Sequence, residues 1–135
     1  KKIINYSNKK NFNFKWMAIE NMTKEQIKEN FQSGKVYIDF GNQPGKDRMP
    51  REAAIMGCCV ITDKRGSANY FDDVGIKEMY KFNDDIEKLG EIVETIKKCL
   101  DNYSAVVRDF SDYREKILQE KEDFQKNIIR IFDEI

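Results

Sequence analysis

The chain has 135 residues, of which 24 are basic and 24 acidic, and it contains no histidine. This length is typical of one domain, and the balanced charge excludes a general attraction for nucleic acid or for an anionic membrane. Without histidine the chain cannot form a Ser-His-Asp triad, a Cys-His pair or a His-containing zinc site.

Charge is divided unevenly between the two halves of the chain. Residues 1–70 contain 13 basic and 7 acidic residues and residues 71–135 contain 11 and 17, so the halves carry +6 and -6. An anionic ligand is therefore expected on the amino-terminal half. Cys58, Cys59 and Cys99 fit no disulfide framework and are expected to be buried reduced thiols. With no apolar run near 18 residues and no signal peptide, we expect a soluble, cytoplasmic protein.

The amino-terminal third predicts two strands and one helix. Residues 2–6 and 14–19 are candidate strands, separated by a polar stretch. Thr23 followed three residues later by Gln26 has the form of a capping box, which predicts a helix that Gly34 ends.

A strand, a loop, a helix and a buried strand are predicted next. Residues 35–40 are rich in β-branched and aromatic side chains, whereas 41–49 contain Gly and Pro and are predicted to form a loop. Pro50 suits the first turn of a helix that runs to Gly57. The apolar run 58–62 is typical of a parallel strand covered on both faces.

The last part of the chain is predicted to be mainly helical. After a loop over 63–75 and a short strand at 78–82, Asn83 and its acidic neighbours begin a helix, and Ser104 caps another. Apolar residues recur every three or four positions in both helices, and the second stripe is broken only at Lys121. The stripes are Ile86, Leu89, Val93, Ile96 and Leu100 in the first helix, and Val107, Phe110, Tyr113, Ile117, Phe124, Ile128, Ile131 and Ile135 in the second.

Alternating strands and helices predict one α/β domain over residues 1–135. Its sheet is expected to be mainly parallel and Rossmann-like, flanked by helices, with 84–135 as a helical tail. Ligands of such sheets bind beyond the carboxyl ends of the strands, here the loops after Tyr6, Phe40 and Thr62.

The stretch 39–57 holds the strongest candidates for binding an anion. Lys46, Arg48 and Arg51 lie between a strand end and a helix start, where unpaired N–H groups favour a phosphate. Glu52 either caps its own helix or accepts hydrogen bonds from two ribose hydroxyls, and spacing alone favours the cap. The stretch is not a Walker A loop, because it is one residue short and Asp47 replaces the Ser or Thr that holds magnesium.

Three further features each have an ordinary alternative. The turn 63–69 either forms an anion nest or is a plain surface turn. Residues 7–10, with two lysines, form a basic contact or a solvated turn. The apolar stripe of the C-terminal helices packs within the chain or joins two copies into a homodimer.

The pattern Asp39-Phe-Gly, loop, Arg-x-Pro-Arg-Glu-Ala-Ala-x-x-Gly-Cys-x-Val-Ile-Thr, then Gly-Ser-Ala resembles the carboxyl-terminal, donor-binding half of GT-B glycosyltransferases, especially those of bacterial surface-polysaccharide (capsular) synthesis. The similarity is close over residues 37–82. It implies a domain that binds a UDP- or GDP-sugar and serves hexosyl transfer to a polysaccharide or lipid-linked acceptor, with no cofactor and no metal.

The resemblance also implies roles for single residues. Glu52 is expected to bind ribose hydroxyls, Arg48 and the turn after Arg65 to hold pyrophosphate or the sugar, and Lys10 to match a basic residue after the first strand. No catalytic residue is assigned. The full set of expected donor-binding residues is Lys10, Gly41, Arg48, Arg51, Glu52, Gly66, Ser67, Ala68 and Asn69.

Two departures from the family pattern stand out. Many retaining members carry a second glutamate eight positions before the ribose-binding one, and here that position is Pro44. The stretch 6–14 is too short for the family's first crossover helix. Because the chain begins at Lys1 rather than methionine, we interpret it as part of a longer enzyme that meets the inner face of the membrane. The acceptor domain then lies upstream, so the chain alone binds a nucleotide sugar without transferring it.

A non-catalytic α/β module that self-associates through its C-terminal helices is the alternative function. A concentration-dependent dimer that ignores nucleotides would favour it.

Overall fold

The computed structural model describes residues 2–40, 48–64, 75–83 and 86–133, with side chains throughout except at Arg48, Ile86 and 123–133. The elements follow in chain order as α1 (Lys2–Lys9), α2 (Lys24–Ser33), β1 (Val36–Asp39), α3 (Arg48–Ile55), β2 (Cys59–Asp63), a 3-10 helix (Glu78–Tyr80), β3 (Lys81–Phe82), a 3-10 helix (Ile86–Lys88), α4 (Leu89–Asp101), α5 (Tyr103–Val106), a 3-10 helix (Val107–Phe110) and α6 (Ser111–Asp133).

The three strands form one parallel sheet in the order β1-β2-β3. All five residues of the central strand β2 are buried, because strands flank both its edges and helices cover both its faces. The predicted α/β class, with a parallel sheet, flanking helices and a C-terminal helix, is confirmed.

Side chains on β2 alternate between two helical layers. Cys59 belongs to the face covered by α4, where its thiol is hydrogen-bonded to that of Cys99. Val60 and Thr62 belong to the opposite face. On that face Tyr37, in register with Val60, packs edge-on against Phe31 of α2 with ring centroids 5.4 Å apart.

The capping box at the start of α2 is confirmed in atomic detail. The Thr23 hydroxyl accepts from the Gln26 N–H at 3.2 Å, and the Gln26 side chain accepts from the Thr23 N–H at 2.9 Å. Gly34 ends the helix by donating its N–H to the Asn30 carbonyl at 2.8 Å. A Cβ at Gly34 would stand 2.9 Å from that carbonyl oxygen, so close packing requires glycine there.

The predicted strand at residues 2–6 is wrong, because this segment is the helix α1. α1 packs against α4, where the Tyr6 hydroxyl lies 3.2 Å from the position that a Cβ would take at Gly90. Ser7 is fully buried and donates to the Ile4 carbonyl at 2.8 Å. Burial of one helical face on α4 therefore outweighs the strand preference of Ile3 and Ile4.

The predicted strand at 14–19 is also wrong, because residues 12–23 form neither helix nor strand. Phe12, Phe14 and Trp16 instead form a run of ring contacts, with centroids 5.4 and 5.9 Å apart. Phe14, Trp16 and Ile19 pack against the core. The alternating aromatic residues therefore produce a packed, irregular segment without strand pairing.

The predicted strand at 78–82 is reduced to its last two residues. Tyr80 ends a 3-10 turn and is fully buried, with its ring 4.6 Å from that of Phe110. Its hydroxyl donates to Asp109, which also accepts from Lys77 at 3.1 Å. Because these contacts hold Tyr80 in the 3-10 turn, strand β3 begins only at Lys81.

The predicted apolar stripe of α4 is largely confirmed. Leu89, Val93 and Ile96 are buried, Leu100 is half-buried and the side chain of Ile86 lies outside the described set. The stripe prediction missed two buried residues of this helix, Ile92 and Cys99.

The C-terminal helix does not begin at Ser104 as predicted. α5 begins at Tyr103, and a 3-10 turn then precedes α6. At this turn Arg114 donates to the Val107 carbonyl and to the Ser111 hydroxyl, each at 3.2 Å. The predicted stripe is buried at Phe110, Tyr113 and Ile117, and Val107 is half-buried. The remaining stripe positions, 124–135, lie outside the described side chains.

Within the ranges described above, no helix is long and apolar enough to cross a membrane.

Candidate functional site

The carboxyl edge of the sheet is the candidate site. Asp39, Asp63 and Phe82 end the three strands, and parallel strands end at a common edge. The loops that leave this edge include 41–47 and 65–74, which lie outside the described residues. The predicted site residues Gly41, Gly66, Ser67, Ala68 and Asn69 fall in these loops.

Helix α3 starts two residues earlier than predicted, which changes the position of Glu52. Because the helix begins at Arg48, its third position is Pro50 and Glu52 is the fifth residue. A capping box uses the third position, so the start of α3 does not support the capping role for Glu52. Arg48 and Glu52 are four residues apart, so the backbone sets both on one side of α3 near its N-terminus.

Arg51 has a partner within the chain. Its guanidinium donates to the Glu120 carboxylate at 2.8 Å, and the two side chains are 23% and 30% exposed. This ion pair joins α3 to α6, which pack against each other. Arg51 therefore holds the long C-terminal helix against the helix that carries Glu52.

Lys10 does not follow a strand, because the segment before it is α1. It is exposed, and its ammonium nitrogen lies 5.9 Å from the centroid of the Tyr6 ring. The structure therefore does not support matching Lys10 to a basic residue after a first strand. It also gives no ground for a ligand at the loop after Tyr6.

A row of three polar side chains, not predicted from the sequence, crosses the sheet. Asp39 of β1, Thr62 of β2 and Lys81 of β3 are paired in register, so all three point to the same face near the carboxyl edge. Lys81 was predicted to lie in a strand, but the sequence does not show which residue of the neighbouring strand it pairs with. No local motif connects these three positions.

The row carries opposite charges at its two ends. Neighbouring strands lie about 4.8 Å apart, which puts the backbones of Asp39 and Lys81 about 10 Å from each other. The Tyr37 hydroxyl, on the same face, donates to the Asp39 carboxylate at 2.8 Å. Thr62 stands between the acid and the amine.

Lys81 is the unusual member of the row. It is 3% exposed, and neither its amine nor the hydroxyl of Thr62 has a hydrogen-bond partner in the part of the chain that the structure describes. Burial lowers the pKa of Lys81, with Glu78 acting in the opposite direction and Lys64 adding to the decrease. Lys64 and Glu78 form an ion pair at 3.8 Å.

The three cysteines do not form a reactive centre at this edge. All are free and buried, as predicted. Burial raises the pKa of the Cys58 thiol to about 11, and its Sγ lies 3.3 Å from the Phe31 carbonyl oxygen. The hydrogen bond from Cys99 lowers the pKa of Cys59, and the same bond raises that of Cys99. Among the described residues, no three acidic or thiol side chains are grouped so that they could hold a metal ion.

No family model, curated protein or solved structure matches this sequence.

Proposed function

We propose that this chain is the donor-binding domain of a glycosyltransferase with a Rossmann-like fold. In this proposal it binds a nucleoside-diphosphate sugar, and a separate domain supplies the polysaccharide or lipid-linked acceptor. The observation that supports the proposal is the start of α3 at Arg48, after β1, because the four-residue spacing then puts Arg48 and Glu52 on one side of the helix.

Each residue has a role that suits its chemistry. The Glu52 carboxylate accepts hydrogen bonds from both ribose hydroxyls, because two oxygens can receive two neighbouring O–H groups. Arg48 and the N-terminus of α3 bind the diphosphate, since cationic side chains and helix N-termini favour anions. Arg51 contributes by keeping α3 against α6 through Glu120.

The reaction requires stabilisation of negative charge more than proton transfer within this chain. When the bond from the sugar to the diphosphate breaks, charge develops on the β-phosphate of the leaving UDP or GDP. Oriented N–H groups and Arg48 stabilise that charge more strongly than they stabilise the intact donor, which accelerates transfer. The acceptor and its base belong to the separate domain, so this chain alone binds the donor without transferring sugar.

Calorimetric titration of the chain with UDP, GDP and their sugars tests the proposal. We expect one nucleotide to bind, and Glu52→Ala and Arg48→Ala each to weaken binding by about tenfold or more, the loss expected for hydrogen bonds with a charged partner. Glu94→Ala and Arg108→Ala, two exposed positions, serve as matched controls and should bind as the parent does. Absence of binding by every nucleotide in a folded sample would refute the proposal.

Sedimentation of the same sample tests the alternative function, a non-catalytic interaction module. α6 spans 23 residues, which is about 34 Å of helix. Sedimentation that shows a dimer dissociated by Ile128→Asp, together with indifference to nucleotides, would favour that alternative.

A further inference from the structure

Lys81 and Thr62 form a pair of buried polar groups that the described protein leaves without hydrogen-bond partners. Lys81 is 3% and Thr62 0% exposed. The parallel register sets them side by side on one face, within the last residues of β2 and β3. A buried amine or hydroxyl without a protein partner is unfavourable, and one retained in a folded chain is explained by a bound water, an ion, a ligand or a reaction.

We propose that Lys81 and Thr62 bind a phosphoryl group at the carboxyl edge of the sheet. The amine can donate three hydrogen bonds and the hydroxyl one, so the pair is complementary to the oxygens of a phosphate. That the phosphate belongs to a nucleoside diphosphate rests on the proposed function. The existence of the anion site does not depend on it.

Nearby charges are arranged to permit an anion at this end of the row. Glu78 and Lys64 both lie close enough to influence Lys81, and the Glu78 carboxylate is paired with Lys64 at 3.8 Å and is largely exposed to solvent, which screens its charge. Asp63 follows Thr62 in β2, so its side chain points to the opposite face of the sheet. Asp39 is about 10 Å along the row and accepts a hydrogen bond from Tyr37. The register therefore keeps both strand-end aspartates apart from Lys81, because one is on the other face and the other is two strands away.

Inorganic pyrophosphate is the first probe, used with the intact chain and with potassium chloride at equal ionic strength as the reference. We expect the parent chain to bind pyrophosphate and Lys81→Met to weaken that binding about ten- to a hundredfold, the range for a charged hydrogen bond. Thr62→Val should weaken it about two- to tenfold, the range for a neutral one. Lys97→Met, which removes an exposed lysine on α4, is the matched control and should bind as the parent does.

The melting temperature of the Lys81 variant without ligand shows whether Lys81 is a binding residue or a structural one. Because the Lys81 amine is buried without a partner, Lys81→Met is expected to melt at or above the temperature of the parent chain while losing pyrophosphate. Equal pyrophosphate binding by Lys81→Met and the parent, or no binding by the parent, would overturn the inference. If Lys81→Met does not fold, Thr62→Val decides in the same way.

Nucleotide titrations separate this inference from the proposed function. Pyrophosphate binding that depends on Lys81, without binding of UDP or GDP, supports the anion site and contradicts the glycosyltransferase proposal. Nucleotide binding that depends on Arg48 and Glu52 but not on Lys81 supports the glycosyltransferase proposal and contradicts the anion site at Lys81. Inorganic phosphate in place of pyrophosphate shows whether one phosphoryl group is sufficient for the site.

Discussion

Gly57 joins α3 to β2 with a backbone φ of +92°, a conformation that residues with a Cβ rarely adopt. Its carbonyl accepts a hydrogen bond from the Tyr103 hydroxyl. An alanine Cβ at this position would lie 3.2 Å from that hydroxyl oxygen, closer than ordinary contact. Replacing Gly57 by alanine therefore strains the backbone and, through the close contact of its Cβ with the hydroxyl, weakens one hydrogen bond.

The size of the effect follows from these two contributions. Backbone strain at a non-glycine residue of this kind costs about 1–3 kcal/mol. Weakening the Tyr103 bond adds up to about 1.5 kcal/mol. Reduced freedom of the unfolded chain offsets about 0.4–1 kcal/mol. The limits of these ranges sum to about 0–4 kcal/mol and their midpoints to about 2 kcal/mol, which is the loss in the free energy of unfolding that we expect for Gly57→Ala.

Urea unfolding followed by circular dichroism measures this change, with the midpoint lowered and the slope unchanged. Tyr103→Phe removes only the hydrogen bond and should cost about 0.5–1.5 kcal/mol. Combining both substitutions separates the contributions, because the contact with the hydroxyl disappears while the strain remains. A gain in stability for Gly57→Ala would refute the reasoning, because the change in the unfolded chain would then exceed the strain and the weakened bond together.

Three further predictions concern charges and thiols. A double-mutant cycle with Arg51→Met and Glu120→Gln should give a coupling energy below about 1 kcal/mol that decreases with salt, because the pair is partly exposed; a larger, salt-independent value would contradict this. The hydrogen bond from the Tyr80 hydroxyl lowers the pKa of Asp109, so the ionised carboxylate stabilises the fold above the ordinary carboxyl pKa of 3.8, and this stabilisation is lost as pH falls through the lowered pKa. The free energy of unfolding should therefore fall more steeply with decreasing pH in the parent than in Asp109→Asn, and equal slopes would count against this. The three cysteines are buried, so a disulfide reagent should label them only as the chain opens, and immediate labelling of any one in native buffer would be inconsistent with that burial.

The order of elements around the candidate site could be anticipated from local chemistry alone. The residues of 35–62 predicted a strand, then a helix near Pro50, then a buried strand, and β1, α3 and β2 confirm that order. The exact start of α3 could not be anticipated, because helix boundaries depend on how the first turn packs. That start decides which residues share a side of the helix with Glu52.

Lys81 shows why the rest of the site could not be predicted. A lysine among 78–82 is ordinary in sequence, and its significance comes from its pairing with Thr62, 19 positions earlier in the chain. Arg51 is a similar case, because its partner Glu120 lies 69 positions away. Both contacts depend on the packing of elements that are distant in the chain.

The sequence alone determined the capping box of α2, the buried strand β2 and the absence of histidine chemistry. Tertiary structure decided which of two locally acceptable conformations was adopted, as at residues 2–6, where packing on α4 favours a helix over a strand. The physical reason is that intrinsic preferences differ by about 1 kcal/mol or less per residue, whereas burying one apolar side chain is worth about 1.5–3 kcal/mol. Burial therefore outweighs propensity wherever a segment finds a complementary surface.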